Sequence, residues 1–259
     1  MTATPIPRTL TMTIYGDMDL SIIREKPNNR KPVKTYSKIE SKIEDVIKFI
    51  KKEIRLGNQI FWVCPLIEES KKIDHSSAIK KSEYLKKIFP NEVNLLHGKT
   101  TIEEKEKILN KFLRNEFKIL VSTTIIEVGI DFPNANVIII ENANKFGLSQ
   151  LHQLRGRVGR GNKESSCILM FKSNLSDNAK KRINILKNSN DGFEISEEDM
   201  KLRGFGDILG FKQSGIKNFK LADPIHNQDL FILAEKEIKR IENEKEDIGK
   251  FKPLIKLYD

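Results

Sequence analysis

The 259-residue sequence is poor in the residues that would tie a chain down by covalent or metal bonds. It holds two cysteines, Cys64 and Cys167, each in an apolar, strand-like run. That placement reads as buried free thiols of a reducing cytoplasm, not as a disulfide or a metal site. Long hydrophobic runs are missing as well. No apolar stretch approaches the ~20 residues of a membrane span, and no signal peptide opens the chain. Acidic residues are outnumbered, 36 against 46 lysines and arginines, for a formal charge of +10 and a pI near 9.4. Such a surplus suits a polyanionic partner such as nucleic acid. A lysine-rich codon bias accounts for it equally well, so charge alone decides nothing. With 38% hydrophobic and 32% charged residues, the chain reads as soluble and globular, long enough for one large domain or two ordinary ones.

A complete phosphate-binding loop is the absence with most chemical weight. "HGKT", His97 to Thr100, lies between a strand and a helix, where such a loop would sit. The full pattern G-x-x-x-x-G-K-[ST] needs a glycine five positions before the second one. That position is Val93, inside the strand. Backbone N–H groups then have no unobstructed wrap around phosphates, and the stretch reads as a tight strand–helix turn. Nor does any apolar strand end in the paired acidic residues that would hold Mg2+. The chain has no visible means of gripping the β- and γ-phosphates of a nucleotide by itself.

What is present is a regular alternation. From Lys38 onward Ile39, Ile43, Val46, Ile47, Ile50 and Ile54 recur at helical spacing, and Gly57 stands where a C-cap belongs. "QIFWVCPLI" is a short apolar run rich in β-formers, followed by a lysine-rich helix through Ile88 and the strand "VNLLH". The next helix starts at a capping box, Thr101 with Glu104, and buries Ile108, Leu109 and Phe112. "FKILVSTT" and "NANVIIIEN" are near-continuous apolar strands, as a parallel sheet covered on both faces requires. The "SQLHQLRGRVGR" helix and the "SSCILMF" strand complete the series. The fold class is therefore α/β, a parallel sheet flanked by helices, with ligands expected at the carboxyl ends of its strands. After Phe171 the pattern turns helical. Ser176 opens one helix through Leu186, "NSNDGF" makes a turn, and Ser196 with Asp199 caps a second helix, giving a hairpin. The glycine-rich loop "RGFGDILGFKQSG" follows. A charged amphipathic helix then runs from Asn227 to Glu246, with Leu230, Leu233 and Ile241 on its apolar side.

Two stretches carry chemistry. In "QLHQLRGRVGRG", Gln150 to Gly161, the residues Gln153, Arg157 and Arg160 fall at i, i+4 and i+7, one stripe on a helix. Gly156 and Gly159 each cost about 1 kcal/mol against alanine in a helix interior, which makes sense where that face admits another surface closely. Arginine, in a chain otherwise full of lysine, selects the planar fork that matches phosphate oxygens. In "STTIIEVGIDFPNA", Thr123 and Thr124 end a strand where hydroxyls and free N–H groups can bind phosphate. Gly129 and Asp131 sit in a turn where a carboxylate can accept from a ribose hydroxyl. Alone, the second stretch is also good turn chemistry. Together, the two read as half of a nucleotide-splitting site.

These stretches resemble motifs V and VI of superfamily 2 helicases, and "TATPIPRTL" resembles motif III, which ends the first RecA-like lobe in that family. "VCPLIEES", "IIENANKFGLSQLHQLRGRVGRG", "SNDGF" and "LRGFGDILGFKQSG" narrow the resemblance to RecG-type branched-DNA helicases, from Thr2 to about Asp229. The resemblance implies a second RecA-like lobe over residues 30–172, a helical hairpin and translocation-motif loop over 173–221, and a C-terminal helical tail over 222–259. Residues 1–29 would be a remnant of the first lobe and linker. Arg157 and Arg160 would act as arginine fingers on the γ-phosphate of ATP, held with Mg2+ mainly by the first lobe. Gln153 would help position that phosphate, with Gly129 and Asp131 on the sugar side. Thr123 and Thr124 would touch the DNA backbone, joined by His97 and Lys99. Thr2 and Thr4 in the motif III stretch, with Arg182, Arg203 and Gln213 in the hairpin and loop, would couple ATP turnover to DNA movement. The implied partners are forked or branched DNA and a complementary N-terminal helicase half, in a bacterial cytoplasm, with no membrane and no resident metal in this chain.

Departures from the family pattern matter equally. The wedge domain, the phosphate loop and the acidic Mg2+-holding motif have no counterpart, and the sequence opens as if in mid-protein, just before motif III. Residues 1–29 are expected to pack poorly, and the isolated chain to lack ATPase activity. Two other readings stay open. One is a non-catalytic DNA-binding fragment of a split or decayed helicase gene; the other is the motor part of a transcription-repair coupling translocase, which shares the motor and the hairpin.

Overall fold

Six short segments pair into one all-parallel sheet: β1 (Lys34–Ile39), β2 (Gln59–Val63), β3 (Val93–Leu96), β4 (Ile119–Ser122), β5 (Ala135–Ile140) and β6 (Ser166–Phe171). Their order is β1-β6-β5-β2-β4-β3. The structure is a computed structural model describing residues 31–65, 71–123, 132–203 and 227–244. Thr2, Thr4, Thr124, Gly129, Asp131 and Gln213 lie outside the described residues, as do residues 1–29 and most of the glycine-rich loop. Residues 24–195 form one compact unit, and residues 196–203 and 227–244 belong to a second.

β2, β4 and β5 are buried at every position. Both faces are covered, so these strands carry continuous rather than alternating apolar runs. On one face α1 (Ile43–Arg55) and α2 (Lys71–Ile88) bring Val46, Ile47, Ile50, Ala78 and Leu85 onto Ile60, Trp62, Val121 and Ile139. The other parity of the same strands faces an aromatic cluster. There Phe61, Phe112 of α3 (Ile102–Leu113), Phe117 and Phe132 pack with ring centroids 5.1–5.7 Å apart. Phe132 thereby anchors the chain just before Pro133.

Helix ends follow the expected chemistry where the signals are local. Gly57 has φ +79° and donates to the Ile54 carbonyl, while Asn58 N–H reaches Glu53 O. This is a Schellman stop for α1. The capping box of α3 is present in both directions: Thr101 Oγ1 accepts from Glu104 N–H at 3.3 Å, and Glu104 Oε2 from Thr101 N–H at 3.2 Å. At the amino ends of the strands a buried polar cluster is satisfied internally. Asn136 Nδ2 donates to Asn58 Oδ1 at 2.9 Å, and Gln59 Nε2 to the carbonyls of Phe112 and Phe117 at 2.7 and 3.0 Å.

Two local readings need correction. Ile39 is not helical: it closes β1, an edge strand of sequence Lys-Thr-Tyr-Ser-Lys-Ile that is mostly exposed. Charged edges discourage pairing with other chains, and the same charges conceal the strand from hydrophobic patterning. Of the two helices after β6, α5 (Asp177–Asn188) starts as expected at Ser176, whose Oγ accepts from Ala179 N–H at 3.3 Å. α6 (Gly192–Arg203) starts earlier than Ser196. Asp191 Oδ1 accepts from Phe193 N–H at 2.8 Å, so a cap as good as serine is already in place five residues earlier. Ser196 and Asp199 therefore lie inside the helix. The last described element, α7 (Gln228–Asn243), leaves Leu230 and Leu233 exposed.

Candidate nucleotide and nucleic-acid site

The segment after β5 turns at the carboxyl edge of the sheet. Glu141 is buried there; its Oε1 lies 2.7 Å from Lys81 Nζ of α2, and the Cys64 thiol donates to its Oε2 at 3.6 Å. Asn142 takes the left-handed region at φ +46°, which asparagine tolerates better than other side chains. A 3-10 turn at Ala143–Lys145 then leads to α4 (Leu148–Arg155). Leu148, Leu151 and Leu154 are buried and fix one stripe of α4 against the core.

α4 ends at Arg155, so the expected stripe through Gln153, Arg157 and Arg160 does not form. Gly156 is the C-cap, and tight turns carry Arg157 N–H to Leu154 O at 3.0 Å and Val158 N–H to Arg155 O at 3.3 Å. Gly159 then adopts φ +75°, a conformation that favours glycine. The glycines stop a helix; they do not interrupt one. The surface that approaches them is the unit's own. A Cβ at 159 would sit 2.8 Å from Val33 Cγ2, and one at 161 would sit 3.2 Å from the Pro133 carbonyl oxygen. The loop is thus seated between the approach to β1 and the segment after Phe132.

The three arginines separate sharply. Arg155 is only 3% exposed. Its Nη1 donates to the carbonyls of Leu186 and Ser189 at 2.7 and 2.8 Å, its Nη2 lies 3.1 Å from His152 Nδ1, and Thr35 Oγ1 is 3.4 Å away. Burial lowers its pKa from the usual guanidinium value. Arg157 is half-buried, and Arg160 is exposed with Nε 3.4 Å from the Gly156 carbonyl. Gln153 is exposed on α4. Motif reading missed the role of Arg155, although one signal was available: it stands four residues after Leu151 and seven after Leu148, on the apolar stripe.

Arg182 of α5 reaches the other end of α4. Its Nη1 donates to the Phe146 carbonyl at 2.7 Å and its Nη2 to that of Asn144 at 3.4 Å. His97 to Thr100 close on themselves: Thr100 N–H to His97 O at 3.0 Å, His97 N–H to Thr100 Oγ1 at 3.1 Å, Lys99 N–H to His97 Nδ1 at 3.2 Å. That is the tight turn expected, with its N–H groups used internally. Thr123, at the end of β4, is buried, and Arg203 ends α6. Of the described residues on this loop, Arg160 is exposed and Arg157 half-buried. The described residues supply neither a phosphate cradle nor an acidic cluster able to hold a metal ion. Among them no helix is long and apolar enough to cross a membrane.

Residues 41–162 match the helicase conserved C-terminal domain family, and residues 189–255 match the family described as ATP-dependent DNA helicase RecG, domain 3, C-terminal. ATP-dependent DNA helicase RecG of Bacillus subtilis (strain 168) is 49% identical over 229 residues, 88% of this chain and 33% of that protein. The RecG of Thermotoga maritima is 44% identical over 246 residues, 94% of this chain and 31% of its own length. A solved structure of RecG bound to a three-way DNA junction matches with TM-score 0.70 at 43% identity, covering 89% of this chain and 30% of that one. The chain spans about a third of the length of the curated relatives it matches.

Proposed function

Because the chain belongs to the RecG family of DNA helicases, as its C-terminal portion, we propose that it is the second half of an ATP-driven motor that remodels forked or branched DNA. One observation carries this reading: Arg160 is exposed on a loop seated against Val33 and Pro133, while Arg155 of the same run is buried. An exposed arginine on a fixed loop suits a phosphate presented from outside the unit.

Arg157 and Arg160 serve as fingers toward the γ-phosphate, with Gln153 orienting it and Gly129 and Asp131 on the sugar side. ATP and Mg2+ are held mainly by the first lobe of the complementary N-terminal portion; a triphosphate bound there supplies the bond that is broken. Thr123, Thr124, His97 and Lys99 are assigned to the DNA backbone. Residues 30–172 act as the second RecA-like lobe and 173–221 as the hairpin and translocation loop, ahead of the tail at 222–259. Thr2, Thr4, Arg182, Arg203 and Gln213 serve coupling. Forked DNA as substrate is supported by the junction-bound relative.

An arginine finger contributes about 10³–10⁵-fold in rate, but only on a nucleotide already bound with its metal. The isolated chain should therefore hydrolyse no ATP. Mixing it with the N-terminal portion of a RecG-type helicase, forked DNA and Mg-ATP should restore turnover, and Arg160→Ala should abolish it. Turnover restored equally by the Arg160→Ala chain would refute the assignment. No turnover from the wild-type mixture would favour a non-catalytic DNA-binding fragment.

A further inference from the structure

We propose that Lys34, Tyr36 and Lys38, one face of the edge strand β1, form a stacking platform for unpaired DNA bases. The proposal takes DNA as the ligand from the reading above and adds a contact outside the residues assigned there.

Side chains two apart on a strand share a face, about 6.6 Å from each other, so the three stand in line on β1. Opposite them on β6 are Ser166, Ile168 and Met170. Ile168 and Met170 are buried in the core cluster with Val46 and Ile50 of α1. One strand further out the same face opens: Tyr36 is 45% exposed, and both lysines are exposed. Lysine at a sheet edge is explained by the need to keep other strands away. The ring between the two lysines does nothing for that purpose.

A ring with a cation on either side offers a π-face to a base and a charge to the phosphate on each flank of it. Lys34 is paired with Glu164 at 2.8 Å, with side chains 56% and 67% exposed. An ion pair so open to water is worth little, and a phosphate can replace the carboxylate. Every base has a π-face, so the platform tolerates any sequence. A duplex keeps those faces inside its own stack, so the ring selects single strands.

The sheet order sets this contact apart. β4, with Thr123 after it, is four strands away from β1, and β3, ahead of the His97 turn, is five. At about 4.8 Å per strand these separations are about 19 and 24 Å. The platform therefore holds different nucleotides from those assigned to Thr123 and His97.

The test uses the whole chain with oligo-dT of about 12 nucleotides, and a blunt duplex of the same length, each titrated by fluorescence anisotropy. Tyr36→Phe keeps the ring; Tyr36→Val keeps a good strand former and loses it. Tyr36→Val should weaken single-strand binding about tenfold and Tyr36→Phe less than about twofold, with duplex binding within about twofold in both. Lys38→Gln should lower the logarithmic salt slope on single strands by about 0.7. Oligo-dT carrying 5-iododeoxyuridine should crosslink to Tyr36 on irradiation. Equal loss on single strand and duplex, no loss on either, an unchanged salt slope, or a crosslink mapped away from β1 would overturn the proposal. The test needs neither nucleotide nor the N-terminal portion, so its failure and a failure of ATP turnover are read separately.

Discussion

Gly159 and Gly57 share a left-handed backbone but differ in surroundings. At Gly57 nothing lies within 4 Å of an added Cβ, whereas at Gly159 Val33 Cγ2 lies 2.8 Å away. Alanine at 57 should cost about 1 kcal/mol from backbone strain alone, and alanine at 159 about 1–3 kcal/mol, because strain and contact combine. Denaturant midpoints at unchanged slope would show the order, and equal losses would argue against the Val33 contact. The cysteines permit a pH test. Burial, the leading cause at both, raises the Cys64 thiol and pushes Cys167 up to about 12. Unfolded thiols titrate near pH 8.5. Above that pH the unfolded chain holds fewer protons than the native one, so stability is complete below pH 8.5 and falls as pH climbs toward the native values. The expected slope is about 1.4 kcal/mol per pH unit for each thiol. Urea melts between pH 7.5 and 10.5 should flatten in a Cys64→Ala, Cys167→Ala double variant.

Elements whose cause is local could be read from the chain; those whose cause lies far along it could not. The capping box of α3 is an instance of the first kind, and Thr101→Ala should lower stability by about 1 kcal/mol in chemical denaturation. β2, β4 and β5 were readable because burial on both faces leaves an unbroken apolar run. β1 was not, since an edge strand trades apolar residues for charge. The end of α4 was misjudged because helical spacing carried on through Gly156 and Gly159, whose backbone needs are visible only beside Val33 and Pro133. Among the site residues, the arginine cluster was evident, while its division was not: the acceptors of Arg155 lie 31 and 34 residues downstream. The Lys81–Glu141 pair, with side chains 19% and 10% exposed, was equally hidden. It ties α2 to the turn after β5. Lys81→Met should cost about 3 kcal/mol by stranding a buried carboxylate, and adding Glu141→Gln should recover part of that loss, a coupling that a double-mutant cycle measures.

On the scale of the whole molecule, the charge of +10 makes the proposed DNA contact testable through its salt dependence. Affinity of the isolated protein for a forked duplex should fall steeply with salt, the logarithmic slope being about −0.9 per phosphate neutralised. Arg160→Ala, assigned to the nucleotide, should leave that slope within about one contact of wild type; a larger drop would move Arg160 to the DNA side. The sheet order has a consequence for how the molecule is made. Among the described strands β1 is synthesised first, yet its neighbour is β6, with Lys34 opposite Ser166. A nascent chain has no mate for it until some 130 residues later, and contacts so distant in sequence form slowly. The earliest of the described strands is thus the last of them to be housed, and its lysines keep it in water while it waits.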